Sequence, residues 1–184
     1  MPRQSPSIAD IFSGAFENFH GDLYTALPGR VEAFDPTTQR ASVQPLLKQG
    51  YVDESDERKT ERLPVIQDVP VLFPGAGAYR ITFPVLKGAV VLLIFSSASL
   101  DTWLSKGGEV DPEDDRRNDI SDAVAIPGLY SFNAVPTSAP TNAMVLHGAN
   151  IKLGADDATD PVVRKSDLDA FRTSYNLHKH LGVT

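Results

Sequence analysis

The chain has no cysteine. That excludes disulfides, thiolate nucleophiles and Cys-type zinc sites, and leaves His, Asp and Glu as the strong metal ligands. It also lacks a long hydrophobic run. The most apolar stretch, residues 85–95, is broken by Lys87 and Gly88 and is rich in β-branched residues. It predicts a buried strand, far short of the roughly 20 apolar residues of a membrane span. Residues 1–22 show no basic segment followed by an apolar one, so neither a signal peptide nor membrane integration is expected. Positive charge is scarce: 17 Lys and Arg against 24 Asp and Glu leave a net charge of -7. Phosphate backbones and anionic lipids are read by clustered cations, so no nucleic-acid partner is expected. Catalytic patterns are missing too: there is no G-x-S-x-G or H-E-x-x-H, and Gly75-Ala76-Gly77 lacks the further glycines of a nucleotide loop. The expectation is a protein that is not an enzyme.

What is present is enough for one core and a smaller appendage: 184 residues, 41% of them hydrophobic. Ser7 precedes Ile8, Ile11, Phe12, Ala15, Phe16 and Phe19, which recur at helical spacing and predict a short amphipathic N-terminal helix. Its aromatic stripe needs cover, either from its own domain or from a neighbouring subunit. From Tyr24 to about Gly128 the signals change to short strands with turn residues between them, the pattern of a small all-β barrel or sandwich. Residues 27–34 and 40–47 read as a hairpin about Asp35-Pro36-Thr37-Thr38. Residues 48–62 are almost wholly polar and read as a long loop. Residues 65–73, 81–85 and 89–95 complete five expected strands, which suits an OB-fold. The acids and arginines of residues 109–122 read as a solvated loop, and residues 133–142 as an extended linker.

Beyond the linker, residues 143–154 give two brief apolar alternations, each too short to fold alone. Such pieces gain stability when three chains wrap one axis, as in intertwined β-prisms and β-helices. His147 alternates with apolar neighbours and suits packing better than ligation; His20 has no assigned role. Asp156, Asp157 and Asp160 lack the regular spacing of a calcium loop. Ser166-Asp167-Leu168-Asp169 starts a second helix through Tyr175, in which Leu168, Phe171, Tyr175 and His178 fall at a-d-a-d spacing. The chain ends His178-Lys179-His180-Leu181-Gly182-Val183-Thr184. In extended backbone His178 and His180 share a face. Two imidazoles do not complete a coordination sphere, but three copies on an axis supply six, an octahedral site for a first-row transition metal. H-x-H alone is also compatible with a solvated tail.

One ordered series of motifs is more specific than any of its members. It comprises Leu27-Pro28-Gly29-Arg30-Val31, Asp35-Pro36, Val43-Gln44-Pro45-Leu46-Leu47, Val69-Pro70-Val71, Thr82-Phe83-Pro84, Gly88, Asp101-Thr102-Trp103 and the run from Asp119 to Leu129. In this series, over about residues 24–163, the chain resembles the central baseplate spike family of contractile-tailed phages, the membrane-piercing proteins of Mu-like viruses. The resemblance implies a mainly β homotrimer: an N-terminal OB-fold barrel, then a short intertwined trimeric β-prism or β-helix apex, with short helices at both ends. The boundaries it suggests are a helical arm at 1–22, the OB-fold at 23–130, the apex stem at 131–163, and a C-terminal helix with metal-binding tip at 164–184. It also implies one iron ion per trimer, shared by His178 and His180 of three chains, a choice of metal that spacing does not make. The implied place is the tip of a virion's tail baseplate, or of an equivalent contractile injection system, after synthesis in the host cytoplasm. There the spike caps the tail tube, meets baseplate hub and tail-tube proteins, and pierces the bacterial outer membrane by mechanical contact on sheath contraction. The competing expectations are an OB-fold ligand-binding hub module and a tail-associated cell-wall hydrolase.

Overall fold

The computed structural model describes residues 7–21, 23–53, 55, 57–135, 140–148, 151 and 165–177. The chain divides into two units, Met1–Val135 and Pro136–Thr184. The first holds helix α1 (Ile8–Gly21), strands β1 (Ala26–Asp35), β2 (Arg40–Pro45), β3 (Lys48–Val52), β4 (Arg58–Arg62), β5 (Ile66–Pro70), β6 (Gly75–Ala76), β7 (Tyr79–Arg80), β8 (Val90–Phe95) and β9 (Ala123–Pro127), and helix α2 (Asp101–Lys106). The second holds helix α3 (Lys165–Leu177).

Five strands form one antiparallel sheet in the order β5-β2-β1-β8-β9. The sheet curls until its ends meet: Val71, just beyond β5, bridges Ala125 of β9 in parallel, and the Leu72 N–H donates to the Ala125 carbonyl at 2.8 Å. This single bridge brings the two edge strands together and partly covers the edges that a flat open sheet would present. The fold is therefore mainly β and OB-like, as the sequence suggests.

Alternation drives the curl. Ala41 and Val43 on β2, Val91, Leu93 and Phe95 on β8, and Ala123 and Ala125 on β9 point inward, while their neighbours are at least partly exposed. With Val31, Ile66, Val69, Val71 and Val85 they make one core. Full burial of Leu93 alone contributes about 1.5–3 kcal/mol. Between Val31 and Ala33 the β1–β2 register shifts, leaving Glu32 as an extra residue that bends β1 and lets it pair with β2 and β8 in turn. Gly29 sits where these pairings overlap. A Cβ there would lie 2.5 Å from Val43 Cγ1 and 2.9 Å from Leu93 Cδ1, so only glycine lets those two side chains converge.

Two expectations are corrected. Residues 81–85 form no strand. Pro84 has no N–H for a ladder, and the Ile81 N–H donates instead to the Pro74 carbonyl at 2.8 Å. The segment places Val85 in the core and Phe83 edge-on to Phe73, with ring centroids 5.3 Å apart. The fifth barrel strand is β9, from a run of small and β-branched residues. Residues 48–62, expected to be a loop, contain the β3–β4 hairpin, paired from Lys48↔Arg62 to Val52↔Arg58. Its turn is fixed by Asp53, whose Oδ1 accepts the backbone N–H groups of Ser55 and Glu57 at 2.9 and 3.0 Å.

Both terminal helices form where apolar spacing predicts them. On α1, Ile8, Ile11, Phe12 and Phe16 are exposed; the side chains of Ala15 and Phe19 lie outside the described residues. In the second unit Met144, Val145 and Leu146 are exposed and form no strand within the single chain.

Candidate functional site

The most tightly organised polar group lies in the excursion between β8 and β9, which the sequence reads as solvated loop. Its centre is Arg116, one of two arginines in an otherwise acidic run. Arg116 Nε donates to Asp122 Oδ2 at 2.8 Å, and Nη2 donates to Asp122 Oδ1 at 3.3 Å and to Ser99 Oγ at 2.8 Å. The same Nη2 meets Asp101 of α2, and Nη1 lies 3.3 Å from Asp114 Oδ2. Asp122 is buried, its side chain 1% exposed, and its Oδ1 also accepts the Leu100 N–H at 2.8 Å. Such paired, charge-assisted bonds are what a buried carboxylate needs. The Asp122 and Asp101 carboxylates hold the Arg116 guanidinium above its ordinary pKa. Asp119 closes the adjoining turn, accepting the Ser121 hydroxyl at 2.6 Å and the Ser121 N–H at 2.8 Å. Those two bonds, with the charge of Arg116, hold its carboxyl below the usual value. Asn118, at φ 48°, donates its N–H to the Ser96 carbonyl, and its own carbonyl accepts the Tyr24 N–H, both at 3.0 Å. Every group in this knot has a partner within it, and what it does is tie α2 and the acidic strap to one end of the barrel.

Around the barrel the notable chemistry is apolar. Leu72, Tyr79, Ile81, Phe83 and Leu86 are exposed along residues 72–86, and Trp103 is half-exposed on α2. In the second unit Leu168, Phe171 and Tyr175 are all at least 60% exposed on one face of α3, with the Phe171 and Tyr175 rings stacked at 6.5 Å. Isolated apolar side chains on a surface are ordinary, whereas apolar stripes of this kind gain stability when another surface covers them. A 13-residue helix is marginal in water without such contact.

The expected metal ligands His178 and His180 lie outside the described residues, immediately beyond the end of α3 at Leu177. His147 is exposed, which leaves it unpacked within a single chain. His20 lies on α1. Among the described residues no group of three or more His, Asp or Glu side chains is placed to hold a metal ion.

Sequence reasoning misses the Arg116 knot and the β3–β4 hairpin. Nothing periodic marks the knot, because its members, Ser99, Asp101, Arg116 and Asp122, meet only through the fold. The hairpin has a signal in Gly50-Tyr51-Val52 followed by the turn-forming Asp53.

Residues 27–128, more than half of the chain and nearly the whole barrel with its excursion, match the family described as "Phage protein Gp138 N-terminal domain". No curated protein matches the sequence.

Proposed function

We infer that this chain, which belongs to the phage protein Gp138 N-terminal domain family, is a structural protein of the virion: the central spike at the tip of a contractile tail baseplate. The observation that carries the reading is the family match across the closed barrel. The exposed faces of α3 and of residues 72–86 support it, because both call for neighbouring chains. In this role three copies share an axis, the barrels cap the tail tube against hub proteins, and the C-terminal unit meets the bacterial outer membrane when the sheath contracts. The work is mechanical and requires no turnover.

Leu168, Phe171 and Tyr175 would form a short three-stranded seam, delivering His178 to the axis one helical step later. By resemblance, His178 and His180 of each chain would hold the single iron ion. Bound there, iron would supply a cross-link among three chain ends, at the place where fraying is otherwise easiest. The Arg116 knot and the curled sheet hold the first unit together without it.

Native mass spectrometry with elemental analysis tests the proposal. The expected mass is three times the 19.9 kDa chain with one metal per trimer, and His178→Ala with His180→Ala keeps the trimer while losing the metal. A monomer at all concentrations, or three metals per trimer, would overturn it. Cleavage of purified peptidoglycan, abolished by a single carboxylate substitution, would favour the hydrolase reading instead.

A further inference from the structure

The β3–β4 hairpin carries its charge unevenly. Directly opposed residues of an antiparallel pair share a face. One face therefore carries Gln49, Tyr51, Lys59 and Glu61, and the other carries Lys48, Gly50, Val52, Arg58, Thr60 and Arg62. The Gln49 face is turned toward the barrel, since Gln49 Oε1 accepts the Tyr24 hydroxyl at 3.4 Å and the Tyr24 ring packs 5.4 Å from Phe95. The opposite face points away from the barrel and bears three cations and no acid. Arg58 lies across Gly50, in van der Waals range of the place a Cβ would occupy. Lys48 and Arg62 stand directly opposite each other, an unfavourable pairing for like charges. Among the described residues, the side chains of Lys48, Arg58 and Arg62 make no hydrogen bond or ion pair, whereas Lys59 on the inward face pairs with Asp53.

The same chain carries the complement. Between Gly108 and Arg116 runs an exposed strap with Glu109, Asp111, Glu113, Asp114 and Asp115. Of these, Asp114 is engaged by Arg116. That contact, with the rest of the knot, fixes the strap's end and leaves four acids without a cationic partner among the described residues. Among those residues, too, no ion pair joins the hairpin to the strap within one chain.

We propose that the outward face of the β3–β4 hairpin docks on the acidic strap, residues 109–115, of a second copy of this chain. The contact is heterologous, joining one patch to a different patch on the neighbour, and contacts of that kind close into rings when the rotation permits. It rests on the homo-oligomeric reading above and adds to it a specific contact between barrels. The charge match sets the order and register of subunits, while the apolar surfaces supply most of the affinity.

A charge swap tests it. R58E with R62E forms one variant, E113K with D115K another, and all four changes together a third. Circular dichroism verifies folding, and labelled protein is diluted at low and high salt to find the concentration of half-dissociation. Each two-site swap should raise that concentration by about tenfold at low salt and by far less at 1 M salt, and the four-site variant should return to within about threefold of wild type. Should a reversed hairpin fail to fold, R58Q with R62Q gives a smaller shift in the same direction. Unchanged assembly in either swap, or no recovery in the four-site variant, overturns the contact while leaving the trimer intact. A monomeric wild type overturns the contact and the assembly reading alike. Binding of labelled single-stranded DNA that only the hairpin swap abolishes, with assembly unchanged, identifies the face as a polyanion site and also refutes the proposal.

Discussion

Replacing Arg116 by alanine isolates what the ionic knot contributes. The substitution leaves the Asp122 carboxylate, 1% exposed, with only the Leu100 N–H as a strong donor. Breaking a buried pair by removing one partner costs roughly 3–5 kcal/mol. Arg116 is itself 28% exposed, and some water reaches the gap, so the expected loss is near the lower figure, about 3 kcal/mol. Asp101, 57% exposed, makes the matching outer contact, and Asp101→Ala should cost less than about 1 kcal/mol. Arg116→Met combined with Asp122→Leu removes both charges. It should recover most of the loss, leaving about 1 kcal/mol because the Leu100 N–H loses its acceptor. Urea unfolding at fixed protein concentration, followed through the single tryptophan, reports all of these, since Trp103 sits on α2 two residues from Asp101. If Arg116→Ala and Asp101→Ala cost the same small amount, the knot is a surface ornament and the reasoning fails.

Further outcomes are specific. Gly29→Ala should lower stability by about 1–3 kcal/mol in thermal melts, because the added methyl meets Val43 and Leu93 inside a closed barrel; a neutral result would mean that β1 and β8 separate freely there. Acid should weaken the fold. Glu32 is held low chiefly by Arg30, Asp35 by the Thr37 N–H, Asp53 by Lys59 and Asp119 by Ser121. Groups whose folded pKa lies below the unfolded one stabilise fully above the unfolded value. Their contributions should therefore be intact above about pH 5 and lost as pH falls through about 4 and below. A melting temperature that is flat from pH 6 to pH 3 would contradict these assignments.

How much of the molecule is legible in the sequence depends on where each element keeps its partners. The β1–β2 hairpin is readable because its alternation and its Asp35-Pro36 turn are local: Asp35 accepts the Thr37 N–H at 2.8 Å, within its own turn. Both terminal helices are readable for the same reason. Residues 81–85 have the composition of a strand, yet Pro84 and the pull of Phe83 and Val85 toward Phe73 and the core override it. The short β9 escapes notice because Ala123 and Ala125 look weakly apolar, and only the barrel interior makes small side chains the right fit. The β3–β4 hairpin lacks a buried face, so the period of hydrophobicity is silent while hydrogen bonding and Asp53 shape it. The terminal histidines are visible as a pattern, but His178 and His180 lie outside the described residues, and the site proposed for them needs three chains.

The strand order has one more consequence. β1 and β9 run in the same direction on either side of β8, with Ala26 opposite Ile94 and Pro127 opposite Val91. The polypeptide thus comes into the barrel beside one end of β8 and leaves it beside the other. Tension applied between those two points acts along the strands, so the flanking ladders slide in shear and must give way several bonds at a time. Had both points lain at the same end, the bonds would break singly in turn, like a zipper.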